Sequence, residues 1–96
     1  MSIELFDQRV AHAFAAIRAG NPSGMGQLYD LLGPQIYGLC RLITADPIAA
    51  QHSTIQTFTR IWASAGGASH DTAGTRWVFD LACDSARSTV AHLRHV

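Results

Sequence analysis

Five histidines, two cysteines and seven positive side chains are the groups in this chain best suited to chemistry, and their spacing decides what they can do. His92 and His95 stand one helical turn apart, which puts two imidazoles on one helix face and can seat a metal ion. No Cys, Asp or Glu lies near enough in sequence to complete a ligand set, so the pair reads as exposed histidines at a helix end. His70-Asp71 would make a catalytic dyad only beside a positioned nucleophile, and no nucleophile motif accompanies it. A glycine-rich phosphate loop is also missing from the pattern. The expectation is therefore a protein that is not an enzyme and takes no metal and no cofactor.

The positive side chains are all arginines, spread from Arg9 to Arg94 without a cluster, and the formal net charge is zero. A nucleic-acid binder usually carries a basic excess, so a broad electrostatic footprint for phosphates is not expected. Cys40 and Cys83 are too few for a disulfide framework and lie among apolar residues. They read as reduced core thiols of a cytosolic protein. The apolar runs are too short to span a membrane, and the N-terminus lacks the basic start and apolar centre of a signal peptide. These features predict a soluble, cytoplasmic protein.

The elements that would position these groups are helical. Ile3, Phe6, Val10, Phe14 and Ile17 recur three or four apart and form one apolar stripe, with Ser2 as a cap and Gly20 as a stop. Asn21-Pro22 restarts the chain as cap and first turn of a short helix carrying Met25, Leu28, Tyr29 and Leu32. Gly33-Pro34 is expected to break or kink that helix, and Ile36, Tyr37, Leu39, Cys40 and Ile43 continue beyond it. Asp46-Pro47 repeats the cap-and-proline start for a long helix ending near Trp62. The stretch from Ala65 to Gly74 reads as a loop. A last helix runs from about Thr75 to His95, with Val78, Ala82, Ala86, Val90 and Leu93 at helical spacing. Almost half of the chain is apolar (48%), and its 96 residues make one small domain. The predicted fold class is all-α: a compact bundle of four to five helices, one domain over residues 1–96.

Several anchors in this order resemble region 2 of bacterial extracytoplasmic-function sigma factors. Ala19-Gly20-Asn21 followed by Leu28-Tyr29 is similar to the family's A-G-D opening and its L-Y pair. Gly33-Pro34-Gln35-Ile36-Tyr37 resembles its G-P-x-V-Y turn. Asp46-Pro47, Ala50, and Thr57-Phe58 with Arg60-Ile61-Trp62 resemble its central helix. Trp77-Val78-Phe79 with Leu81-Ala82 resembles the start of its promoter-reading helix. The resemblance covers about Ala15 to Arg94. No counterpart of the family's second helical domain, region 4, accompanies it in this sequence.

The resemblance implies two surfaces. The central helix would dock on the coiled-coil clamp of the RNA polymerase β′ subunit through Gln51, His52, Ile55, Gln56 and Thr59. The last helix would meet the single-stranded promoter −10 element through Arg76, Trp77, Asp84, Arg87 and Arg94, with a positive groove and pockets for unstacked bases. The sequence departs from the family at both. His52, Ile55 and Gln56 stand where the pattern carries Asp, Gln and Glu, and Gln51 where an acid is common. Carboxylates there would make charge-assisted bonds to clamp arginines, and losing each close charge partner costs about 2–5 kcal/mol. Cys83-Asp84-Ser85 replaces a run rich in Arg, His and Asn, and Asp84 has the wrong sign for phosphate.

Two functions follow as expectations. One is a diverged sigma region 2 module in transcription initiation or regulation. The other keeps the fold but has lost polymerase and DNA binding, and engages a regulatory protein such as an anti-sigma-like partner. Ile55 bears on the choice. On an exposed docking face, with Ile48 and Thr59, it would make an apolar contact surface; otherwise it packs into the core. Trp62 and Trp77 read as core residues, with base stacking as the alternative.

Overall fold

In the computed structural model of the chain, which describes residues 3–65 and 74–94, four α-helices follow one another. They are α1 (Ile3–Arg18), α2 (Ser23–Thr44), α3 (Pro47–Ala65) and α4 (Gly74–Arg94). The chain is an all-α bundle in which each helix packs on the other three. The core takes Val10, Phe14 and Ile17 from α1, and Leu28, Leu32, Ile36 and Cys40 from α2. Ala50, Phe58 and Ile61 enter from α3, and Val78, Ala82 and Ala86 from α4. Each fully buried Leu, Ile or Val side chain contributes about 1.5–3 kcal/mol relative to exposure. The apolar spacing therefore supplies the force that fixes the four helix orientations.

The turns follow the sequence signals. Gly20 adopts φ +79°, and the Gly20 and Asn21 N–H groups donate to the Ile17 and Ala16 carbonyls. This pair of bonds is the Schellman ending that a glycine past the helix permits. The Asn21 side-chain oxygen accepts from the Ser23 N–H at 3.0 Å, so Asn21 caps α2 while Pro22 occupies the opening turn. Asp46 does the same for α3, its carboxylate accepting from the Ala49 N–H at 2.8 Å. Between α2 and α3, Ala45 sits at φ 57°, a left-handed position without glycine.

Gly33-Pro34 does not end a helix. α2 runs unbroken from Ser23 to Thr44 with Pro34 inside it, so the described residues form four helices. Proline costs a helix interior about 3 kcal/mol through its missing N–H and its clash with the preceding turn. Leu28, Leu32, Ile36 and Cys40 lie one turn apart on both sides of Pro34, and all are fully buried. Their burial keeps both halves helical. Gly33 has its own reason: a Cβ there would lie 3.1 Å from the Tyr29 ring. Gly24 is a contact glycine, since a Cβ would stand 2.8 Å from the Ala13 carbonyl oxygen where α1 crosses α2.

Candidate functional site

α3 buries small and hydroxylated residues where it meets α4 and α2. Ser53, Thr54 and Thr57 are buried, and each hydroxyl donates to the carbonyl one turn back at 2.8–2.9 Å. That back-bonding satisfies the hydroxyls without a partner helix, so polar residues can be buried cheaply. Among the described residues no buried side-chain N or O lacks a hydrogen-bond partner. The Ser53 hydroxyl also lies 2.9 Å from Thr89 Oγ1, and the Thr89 hydroxyl donates to the Ser85 carbonyl. Arg60 closes the same seam: one guanidinium nitrogen reaches Asp84 Oδ2 at 2.9 Å and Ser85 Oγ at 3.1 Å.

Burying that side leaves the opposite side of α3 to solvent. Gln51, His52, Ile55, Gln56 and Thr59, the five residues expected on a docking face, are all exposed. Ile55 is 59% exposed, so it does not turn into the core. Ile48 is 77% exposed and Trp62 44%. Trp62 is thus corrected from a core residue to a surface one. Its position two turns beyond Ile55, and four beyond Ile48, puts it on the outward row rather than beside Ile61. Arg60 is the one Asp, Glu, Lys or Arg in α3, and it turns toward α4. The outward face therefore carries no fixed charge.

A shallow apolar groove runs beside this row, between α2 and α3, lined by Met25, Tyr29, Ile55, Phe58, Thr59 and Trp62. Tyr29 is 53% exposed and its ring leans on Phe58 at 5.0 Å between centroids. On the other flank, a more polar groove between α3 and α4 is lined by His52, Gln56, Ser88 and His92, among others. Leu42 is also strongly exposed, and one isolated apolar residue on a surface is ordinary.

The residues expected to meet a DNA strand fare differently. Arg76, Asp84 and Arg87 are exposed on α4, and Asp80 is exposed between the two arginines. Trp77 is half-buried and packs on Phe14, with ring centroids 5.9 Å apart. That contact makes it a wall of the core rather than an open stacking platform. Asp84 does not stand alone as a misplaced anion, because it pairs with Arg60. The Arg94 side chain lies outside those described, as do His70, Asp71 and His95 and the stretch from 66 to 73. Two arginines and two aspartates share the described face, and with the Arg60 guanidinium held at Asp84 it has little net charge rather than a broad basic excess.

The two thiols differ. Cys40 is fully buried, and its pKa is raised by burial, with a hydrogen bond from Thr54 opposing and Cys83 adding to the rise. Such a thiol stays protonated and inert. Cys83 is only half-buried, less enclosed than its apolar neighbours in sequence suggest. Among the described residues no cluster of His, Cys, Asp and Glu could hold a metal ion. No helix among them is long and apolar enough to cross a membrane.

The five residues named from the sequence are exposed on α3, Ile55 having been left open between surface and core, and the groove beside them was not anticipated. The signal for it was present: Ile48, Ile55 and Trp62 recur at a constant two-turn interval, and no acidic residue or lysine falls between them. No family model matches the chain, and no curated protein or solved structure matches it either.

Proposed function

We propose that this chain is a diverged sigma region 2-like module of bacterial transcription control that works through protein contact at the outward face of α3. One observation carries the reading. The five side chains at the positions of the family's polymerase-docking surface are all exposed on α3, and Ile48 and Trp62 are exposed on the same helix. A surface of this kind fits the β′ clamp coiled coil, or a regulatory protein that uses the same helix. The charge-free character of the face favours the second, anti-sigma-like kind of partner, because clamp arginines would find no carboxylate on it. Holding the −10 strand is a lesser part of the reading. Arg76 and Arg87 would have to grip phosphates across Asp80 and Asp84, which oppose them.

The experiment is direct binding of the chain to a β′ clamp coiled-coil fragment at low and moderate salt, beside a variant carrying His52→Asp, Ile55→Gln and Gln56→Glu. Micromolar binding by the native chain supports a working polymerase contact. Binding by the variant alone supports the altered-partner reading, in which the fold persists and affinity for the clamp does not. Binding by neither removes the sigma-like docking role.

A further inference from the structure

The row on α3 is symmetric about Ile55. Ile48 and Trp62 lie equally far before and after it, and so do Gln51 and Thr59. Two copies of α3 laid antiparallel with their Ile55 side chains at a two-fold axis would place each Ile48 against the other copy's Trp62. Each Gln51 would then face the other copy's Thr59, an amide against a hydroxyl that can exchange hydrogen bonds. A two-fold interface sets one patch against itself, so it tolerates apolar and neutral groups and penalises charges that meet their own kind. The outward face of α3 meets that condition, since the helix's one charge, Arg60, is drawn aside to Asp84.

The groove completes the fit. Ile48, the most exposed of the row's three large apolar residues, needs an apolar recess, and the wall formed by Trp62 with Met25, Tyr29 and Phe58 offers one. The exposed parts of Ile48, Ile55, Trp62 and Tyr29 amount to on the order of 400–500 Å² per copy, so a two-fold pairing with its polar rim reaches the roughly 1,000 Å² at which specific interfaces begin. We infer that a second copy of this chain occupies the face, through antiparallel pairing of α3 centred on Ile55. The inference rests on the reading of this face as a docking surface and names its occupant. It makes self-pairing and partner docking mutually exclusive.

Sedimentation equilibrium of the chain alone, from micromolar to near-millimolar concentration, tests it without any partner. The expected result is a monomer–dimer equilibrium that Ile55→Asp abolishes over the same range, with the helical circular dichroism unchanged. Register is tested by oxidation in a Cys83→Ser background. Ile55→Cys should cross-link to itself, and Gln51→Cys should cross-link only when mixed with Thr59→Cys. A chain that stays monomeric throughout, a dimer that survives Ile55→Asp, or a Gln51→Cys variant that links to itself would each overturn the pairing. A monomer that binds the clamp fragment would overturn the pairing alone; the docking reading fails only if the binding assay fails as well.

Discussion

The outward faces of α3 and α4 are neighbours in one small bundle and are built on opposite principles. α3 presents Ile48, Ile55 and Trp62 among neutral polar residues. α4 presents Arg76, Asp80, Asp84 and Arg87, two charges of each sign. A helix face with mixed charge is content in water and gains little from a partner. A face with three large exposed apolar side chains gains most when something covers it. The contrast separates two roles that the family resemblance assigns together. The surface that the resemblance would give to protein contact is apolar and neutral, and the one it would give to a nucleic-acid strand carries compensating charges.

The comparison breaks first at the core, where the expected effect is largest. Ile61 is fully buried on α3 and Ile55 is not, although the two are separated by less than two turns. Ile61→Ala should lower the unfolding free energy by about 2–5 kcal/mol, and Ile55→Ala should leave it within about 0.5 kcal/mol. Urea titration of both variants measures this. Equal losses would mean that Ile55 is packed and that the adhesive face is part of the core.

A second test acts on α4. Asp80→Asn together with Asp84→Asn removes the two anions between Arg76 and Arg87 and should convert a balanced face into a basic one. Affinity for a labelled single-stranded oligonucleotide at low salt should rise about tenfold, with a steeper salt dependence. Fluorescence anisotropy across a salt series gives both quantities. An unchanged affinity would mean that the arginines do not lie along a strand path, and that the aspartates are not what suppresses binding.

How much of this was legible depends on whether a residue's environment is set locally. The Asn21 and Asp46 caps and the Gly20 stop depend on neighbours in sequence, and they are where the pattern put them. The stripes through Phe14 and through Val78, Ala82 and Ala86 follow from periodicity alone. The Pro34 break did not occur, because a local preference against helix lost to the burial of Leu32 and Ile36 on either side. Trp62 was misplaced for a related reason. Its size suggests a core, but its angular position on α3 belongs with Ile55, and only the packing of α4 against the other side shows which face is left over. The Arg60–Asp84 pair joins residues far apart in the chain, and no local signal announces such a contact.

That pair sets the smallest effect and links the two faces. Its side chains are 40% and 64% exposed, so solvent screens the attraction. A double-mutant cycle over Arg60→Ala and Asp84→Ala should give a coupling of only about 0.2–1 kcal/mol, shrinking as salt is added. The single variants should still differ. Arg60→Ala also removes a donor from the Ser85 hydroxyl, which is 1% exposed, so it should cost more stability than Asp84→Ala. Asp84→Ala frees the one fixed charge of α3 while leaving Ser85 to hold the guanidinium at 3.1 Å. If Ser85 suffices, the outward face stays neutral and self-association of the Asp84→Ala chain is unchanged by sedimentation. If the carboxylate is what draws Arg60 aside, the freed guanidinium becomes available to the docking face, and self-association weakens in a way that added salt restores. The second outcome would make the neutrality of α3 a property that α4 supplies.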